Sequence, residues 1–447
     1  MLLYFNFINL KYFTIYSRIG HCSKVCKKTT KKNTYKFIFL SLSVTQIFPN
    51  FAGFINQSVG NFIPLTLGTV LCAFAIAIGI KKLDKRVTLL VLTYFFVSSA
   101  YIVASIILSP YQTGISDFSD IVRTLSVAVF FIAGVHASRF SAKWPLNIYY
   151  ILLIGCILSF ALWLSSLLDL SNTFISLFIS RNIGGLNLGG LRFAGLWNYP
   201  YDSSFLYILT ILLGLSLRQK KIIGRLQIVL VVTTCLTFIA FGQSRSSAIS
   251  VFVAVSVIVI LLVARLIFKP NVYALKWLLG ISLYAAVLIV LVYQFELYRY
   301  VARIYAELQA LNFSSSARLQ QINKYLSSIS ENPIRFLFGY GPSRQSELRL
   351  ESMLEVLYRY GALGSIWIFF LFPLYAFFFV FRDVCMSVAK TDTVYLVFVI
   401  ALVMLATHGL SSPIITHYRL VPLLSFFSGC VYSSARRSIR VPLRAYA

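Results

Sequence analysis

The chain has 447 residues, 59% of them hydrophobic and 12% charged, and a formal net charge of +27. A soluble domain carries about a quarter charged residues, so this composition excludes one; repeated apolar runs of roughly 20 residues indicate a polytopic α-helical membrane protein instead. The positive charge does not point to nucleic acid, because most of it lies in short segments between apolar runs, where the positive-inside bias accounts for it.

Residues 1–36 read as a basic N-terminal extension. Met1–Ile19 is apolar and aromatic but interrupted by Lys11 and Arg18, and Lys24–Lys36 is strongly basic. No small-residue cleavage site follows a clean apolar core, so a secretory signal is not expected; an inward-facing segment, amphipathic or poorly ordered, is. His21, Cys22 and Cys26 lie close together, and a thiol-bearing basic tail explains them better than a metal site.

The apolar runs predict twelve spans with both termini inside, at about 37–57, 60–80, 87–109, 119–138, 146–168, 200–217, 226–242, 248–268, 277–295, 353–380, 393–409 and 418–434. This gives a bundle over 37–295, an outer loop subdomain over 296–350, a second part of the bundle over 351–434 and a basic tail over 435–447. The inward gaps Lys81–Arg86, Arg139–Lys143, Arg218–Arg225, Lys269–Lys276, Arg382–Asp392 and the Arg436–Arg444 tail each carry at least two basic residues. The seven cysteines fall in spans or inward segments, so no outer disulfide framework is expected.

With this topology 27 of the 40 basic residues face inward, 16 of them lysine, and 13 face outward, of which only Lys324 is lysine. Topology explains the first set and not the second. Guanidinium is planar and always charged, and grips phosphate with paired N–H donors, so the outer face reads as a candidate phosphate or diphosphate site. Asp84, Asp383 and Asp392 are the only inward carboxylates. The others lie at the outer side, whose mixed sign fits catalysis or polar ligand binding better than a simple anion sink.

Two outer gaps are long. Asp169–Tyr199 is glycine-rich and ends in Leu191-Arg192-Phe193-Ala194-Gly195-Leu196-Trp197-Asn198-Tyr199-Pro200. Pro200 suits a helix start, and that helix N-terminus favours anions. Arg192 is therefore a ligand candidate, or an interfacial anchor with Trp197; Asp202 could orient it. The turn Gly242-Gln243-Ser244-Arg245-Ser246-Ser247 keeps Arg245 close to the bilayer, as a snorkelling arginine or a diphosphate ligand.

In the second long gap, Glu296–Leu350, Leu297, Val301, Ile304, Tyr305, Leu308 and Leu311 follow helical spacing. Ser314–Ser316 then offer an N-cap to a helix that begins near Arg318, carries the stripe Leu319, Ile322, Leu326 and Ile329, and stops at Asn332-Pro333. These amphipathic helices would roof the bundle. The turn Phe338-Gly339-Tyr340-Gly341-Pro342 follows, and then Arg344, Arg349, Glu351, Glu355 and Arg359 enter the tenth span. Glu351, Glu355 and Tyr358 are spaced to share one helix face. A carboxylate there could serve as a general base, or the set could be surface ion pairs. Asp120 and Arg123 read as a local pair. His408 and His417, with Arg419 nearby, most simply read as satisfied interfacial residues. No metal-ligand spacing, Walker loop, dinucleotide fingerprint or serine elbow is present, and no repeat supports a secondary transporter.

The order of these motifs resembles the O-antigen polymerase and O-antigen ligase superfamily, the Wzy/WaaL-type integral membrane glycosyltransferases. The resemblance rests on the Arg192 segment, the Ser244-Arg245 turn, the long outer loop with Arg318, the run from Asn332-Pro333 to Gly341-Pro342, and Glu351 before Tyr360-Gly361, and covers about 185–380. It implies an all-α fold similar to the C-type glycosyltransferases, with a large periplasmic loop containing short amphipathic helices. It also implies a metal-independent enzyme of the inner membrane that needs no cofactor. Such an enzyme transfers a glycan from undecaprenyl diphosphate to an acceptor at the periplasmic face. Arg192, Arg245 and Arg318 would engage the diphosphate, and cationic donors suit the charge that grows on such a leaving group. Glu351, Arg245 and Arg318 are the expected catalytic residues; Arg192, Asp202, Tyr340, Arg344, Arg349 and His408 the expected substrate-binding set. The family further implies a partner that regulates chain length.

Two departures matter. Ligases of this family usually carry a histidine where Glu351 stands and polymerases more often an acid, which favours a polysaccharide repeat-unit polymerase over a ligase. The usual Pro-Asn at the start of the sixth span reads Pro200-Tyr201-Asp202 here. A lipid-linked oligosaccharide flippase would need charges deep in the spans, whereas these charges gather at outer helix ends.

Overall fold

The computed structural model describes residues 22–51, 54, 57–79, 85–107, 109, 119–167, 172–178, 195–197, 200–241, 251–252, 254–256, 259, 317–341, 353–386, 392–409 and 417–444. The helices are α1 (Cys22–Ile47), α2 (Gln57–Gly79), α3 (Lys85–Ile107), α4 (Ser119–Phe140), α5 (Trp144–Leu167), α6 (Asn172–Phe178), α7 (Pro200–Gln219), α8 (Arg225–Phe241), α9 (Ala317–Glu331), α10 (Ile334–Phe338), α11 (Met353–Ser365), α12 (Leu371–Met386), α13 (Thr393–Gly409) and α14 (Leu420–Arg444). A 3₁₀ turn at Gly195–Trp197 precedes α7, and a π-helical turn at Ile366–Phe370 joins α11 to α12. No strand occurs among the described residues.

Among the described residues, five stretches are long and apolar enough to cross a membrane: Phe62–Gly79, Lys85–Ile107, Asp120–Phe140, Trp144–Ser165 and Leu354–Phe381. Shorter apolar helices cover Ser203–Gln219, Arg225–Ile239 and Thr393–Ala406. All eight match spans expected from the apolar runs. The ninth expected span, most of the eighth, and the amphipathic stretch 297–311 lie outside the described residues. The first span ends earlier than expected, at Ile47, because Pro49 disfavours a helical residue before it. α1 and α14 also run on without a break into the basic segments expected to flank the bundle.

The helix ends sort as the charge pattern requires. At the lysine-rich end, Lys220 Nζ lies 2.7 Å from Asp392 Oδ1, Ser216 Oγ 2.7 Å from Thr393 Oγ1, and Arg437 Nη2 donates to the Ser138 carbonyl at 2.6 Å. Asn147 Nδ2 donates to the Tyr35 hydroxyl at 2.9 Å at the same end. These contacts join gaps that the sequence places on one side.

α4 is the central pillar. Its face carries small residues (Ser126, Ala133, Gly134, Ala137, Ser138), all buried, and α14 packs along it. A Cβ on Gly134 would meet the Phe426 carbonyl oxygen at 2.1 Å, and one on Gly429 the Phe131 carbonyl oxygen at 2.2 Å. The two backbones therefore cross in contact at a glycine on each helix, the way small residues let membrane helices approach. Phe131 stacks on Phe372 of α12 just beside this crossing, with centroids 4.1 Å apart.

Candidate active site

The arginine-rich end is organised by one broken helix. At Gly361, inside α11, φ is +64° and ψ −178°, a conformation open essentially to glycine alone. The break frees the carbonyls just before it, and the outer loop takes them. Tyr340 N–H donates to the Tyr358 carbonyl at 2.7 Å and Gly341 N–H to the Arg359 carbonyl at 3.0 Å. The Tyr101 hydroxyl of α3 donates to the Tyr360 carbonyl and lies 2.8 Å from the Phe338 carbonyl. The run Gly339-Tyr340-Gly341 thus docks on Tyr358-Arg359-Tyr360-Gly361. Asn332-Pro333 ends α9 beforehand and turns the chain into α10.

Tyr340 fastens this clamp. Its ring stacks on Tyr358, with centroids 4.5 Å apart and planes 14° apart, its hydroxyl donates to the Ser328 carbonyl of α9 at 2.8 Å, and the Arg335 guanidinium lies over the ring at 5.2 Å. The ring and the hydroxyl are thus both engaged by the protein. Tyr340, one of the expected substrate-binding residues, holds the loop through these contacts.

Beneath the clamp sits a buried polar cluster. The Tyr360 hydroxyl donates to Asp120 Oδ2, and Arg123 Nη1 pairs with Asp120 Oδ1 at 2.6 Å. Asp120 and Arg123 lie in the first turns of α4, where a carboxylate is favoured by the helix dipole. With a guanidinium on one oxygen and a phenol O–H on the other, Asp120 tethers α4 to α11. Arg123 lies over the Phe62 ring at 5.9 Å, and its Nε is buried without a hydrogen-bond partner. A buried donor left unpaired costs about 1–3 kcal/mol, so Arg123 has capacity to spare for an anionic or carbonyl acceptor. Nearby on α11, Arg359 Nη2 pairs with Glu355 Oε1 at 2.6 Å.

A second buried cation adds to the positive field. Arg419 is fully buried. It donates to the Gln46 carbonyl, to the Phe48 carbonyl at 3.1 Å and to the Tyr418 hydroxyl at 2.7 Å, while Gln46 Nε2 donates back to the Arg419 carbonyl at 2.6 Å. It therefore caps the C-terminus of α1, whose partial negative charge offsets the guanidinium. Next to it, burial, then the charges of Arg419 and Arg123, push the His417 pKa down to about 3, against a hydrogen bond with the Trp197 main chain that works the other way.

Arg192, Arg245, Arg344, Arg349 and Glu351 lie outside the described residues. Arg318 falls in the first turn of α9 and Asp202 in the first turn of α7, placed by their backbones alone. His408 is buried at the end of α13, edge-on to Phe205 with centroids 6.0 Å apart. The structure thus brings together a set that sequence reasoning undervalued: Asp120, Arg123, Tyr101 and Tyr360. The three-residue spacing of an acid and an arginine at the outer end of a span was the available signal. The Tyr360 contact bridges positions far apart in the chain and leaves no local trace. Among the described residues no group of three or more His, Cys, Asp or Glu side chains is placed to hold a metal ion.

No curated protein matches the chain. Residues 228–363 match the family described as O-Antigen ligase. That stretch begins in α8 and ends two residues past the Gly361 break, so it takes in Arg245, Arg318, Glu351 and both halves of the clamp. The family implies a membrane glycosyltransferase-like enzyme of polysaccharide biosynthesis. Through residues 228–363, less than a third of the chain, the protein is similar to the O-antigen ligase family, which supports a place in the O-antigen ligase and polymerase superfamily.

Proposed function

We propose that the protein is a polysaccharide repeat-unit polymerase of the bacterial inner membrane, with twelve spans, cytoplasmic termini and a C-type glycosyltransferase-like fold. It moves a growing glycan from undecaprenyl diphosphate to the terminal sugar of a second lipid-linked repeat unit at the periplasmic face. The observation that carries this reading is the concentration of arginines, carboxylates and tyrosine hydroxyls at one end of an apolar bundle, around the clamp that lies within the family match. An apolar carrier would stay in the bilayer while its diphosphate reached this end.

In the reaction, an acceptor hydroxyl attacks the anomeric carbon of the donor sugar. The bond from that carbon to the diphosphate oxygen breaks, and its electron pair leaves with the diphosphate. Arg245 and Arg318, with Arg192, stabilise that charge, and Glu351 takes the hydroxyl proton. Asp202 orients Arg192, and Arg344 and Arg349 bind the sugar substrate. The acid at position 351 is the reason to read polymerase rather than ligase. No divalent metal is required where fixed guanidinium groups neutralise the leaving group, and a chain-length regulator would act as a partner.

The test is the lipid-linked and surface glycan profile of a strain lacking the gene. A single repeat unit on the final acceptor, with the long-chain ladder lost, is the expected outcome. Full-length chains stranded on undecaprenyl diphosphate would identify a ligase, and repeat units trapped on the cytoplasmic face would overturn the enzyme reading.

A further inference from the structure

Two helices serve as rulers for depth at the arginine-rich end. Gly361 lies about 20 residues before Phe381, at the lysine-rich end of α12, and Asp120 lies about 20 residues before Phe140. At ~1.5 Å per residue each stretch is about 30 Å, the thickness of the hydrocarbon core. Asp120, Tyr360 and Gly361 therefore mark the boundary of the outward leaflet. α10 is fixed at this level: a Cβ on Gly361 would meet the Leu337 carbonyl oxygen at 2.2 Å. Tyr101, whose hydroxyl lies 2.8 Å from the Phe338 carbonyl, stands about six residues, or roughly 9 Å, inside the outer end of α3.

At that depth the apolar side chains of α10 are only partly covered by protein, with Phe338 stacked on Tyr101 at 6.5 Å between centroids. Ile334, Phe336, Leu337 and Phe338 are between 41% and 67% exposed. Its remaining residue, Arg335, turns back into the clamp, donating to the Gly339 carbonyl at 3.2 Å. The flanking surface is of the same kind: Leu363 and Ile366 on the α11 side and Val103 and Ile107 on α3 are exposed apolar residues of membrane-spanning stretches. The exposed face of α10 is thus continuous with a lipid-facing wall.

We propose that α10 is a membrane-inserted wedge whose Ile334, Phe336, Leu337 and Phe338 side chains sit among the acyl chains of the outward leaflet. The segment after α9 is then part of the membrane domain rather than of a free loop subdomain. The energetic logic is that of an interfacial anchor: burying four large apolar side chains in hydrocarbon offsets the cost of bringing a five-residue helix with open ends to the boundary. The clamp supplies what those ends lack, since Gly339 N–H donates to the Arg335 carbonyl and Tyr340 and Gly341 bond to α11. This inference does not depend on the reaction proposed above.

The test is a nitroxide side chain on Phe336→Cys, with the full-length protein in phosphatidylethanolamine–phosphatidylglycerol vesicles. Collision with oxygen, which partitions into hydrocarbon, is compared with collision with a water-soluble nickel chelate. Unsubstituted protein treated alike supplies the background of the native thiols. The expected ratio of oxygen to nickel accessibility is several-fold higher than for a label on Glu331→Cys, an exposed site at the end of α9. Ile334→Cys, the most exposed of the four, repeats the measurement should Phe336→Cys accumulate poorly. A nickel-dominated signal would place α10 in water and overturn the proposal. Low accessibility to both probes would mean that a protein surface, a second copy included, covers the wedge, and would overturn it equally.

Discussion

Gly361→Ala tests the clamp most directly. Its φ of +64° with ψ near 180° costs an alanine about 1–3 kcal/mol. The new methyl would stand 2.2 Å from the Leu337 carbonyl oxygen and 2.5 Å from the Phe338 nitrogen, both main-chain atoms that cannot swing aside. Relief requires α10 to back away from α11, which breaks the bonds from Tyr340 and Gly341 to the Tyr358 and Arg359 carbonyls, at about 1 kcal/mol each. The sum is ~3–5 kcal/mol, concentrated at the arginine-rich end. Gly224→Ala is the control, because a Cβ there meets nothing within 4 Å. The readouts are the temperature at which purified protein in mild detergent loses its monodisperse peak, and the glycan ladder of a complemented null strain. Gly361→Ala should lower the first by several degrees and shorten or abolish the second; Gly224→Ala should do neither. Parental values for both readouts in Gly361→Ala would refute the argument, since they would mean that α10 does not rest on the break.

Other perturbations separate the parts of the site. Asp120→Ala removes the partner of Arg123 and Tyr360 in a nearly buried setting, so a loss of about 3–5 kcal/mol is expected, against about 0–1 kcal/mol for Glu355→Ala, whose ion pair is partly exposed; equal thermal shifts would contradict the burial argument. Arg245→Lys should lose most of the long-chain ladder if the guanidinium binds diphosphate through paired donors, and a normal ladder would remove Arg245 from the site. Cys156 Sγ and Cys235 Sγ lie 3.7 Å apart between α5 and α8; copper phenanthroline should link them, so that fragments from tryptic cleavage in the 218–225 loop stay joined until reduced, and fragments that separate without reductant would place these helices wrongly. His417 gains its proton more readily unfolded than folded, so stability should fall as pH drops from about 6.5 toward about 3, by up to ~1.4 kcal/mol per unit; His417→Gln should flatten that slope, and an unchanged slope would assign the acid sensitivity elsewhere.

Much of the fold was legible because membrane helices announce themselves by length and polarity. The spans near Phe62–Gly79, Lys85–Ile107 and Leu354–Phe381 follow from hydropathy alone, and the alternation of lysine-rich gaps sorts the ends, as the Lys220–Asp392 pair illustrates. What hydropathy cannot report is which face of a span meets which neighbour. Without water in the bilayer, apolar side chains facing protein and lipid look alike, so the α4–α14 crossing was invisible although Gly134 and Gly429 stand in plain view. The break at Gly361 was hidden for a related reason. A glycine within an apolar run reads as a tolerated helix residue, and only the carbonyls taken by Tyr340 and Gly341 reveal that the helix stops there.

The arginine bias of the outer face was legible, but part of its cause lies elsewhere than in phosphate. Four of these arginines have described side chains, and each is engaged by the protein: Arg123 by Asp120, Arg335 by the Gly339 carbonyl and the Tyr340 ring, Arg359 by Glu355, and Arg419 by the end of α1. Arg419 shows why lysine would not substitute. A planar guanidinium bonds two main-chain carbonyls and a hydroxyl at once while remaining buried, whereas an ammonium is a compact and more strongly hydrated charge. An outer surface built from broken helices and docked loops has many such carbonyls to satisfy, so selection for arginine there follows from architecture as well as from chemistry. The two demands meet at Arg123, where Asp120 occupies one side of the guanidinium and the buried Nε remains without a partner. Were Arg123 to touch substrate through that free edge, Asp120 would already hold the guanidinium oriented.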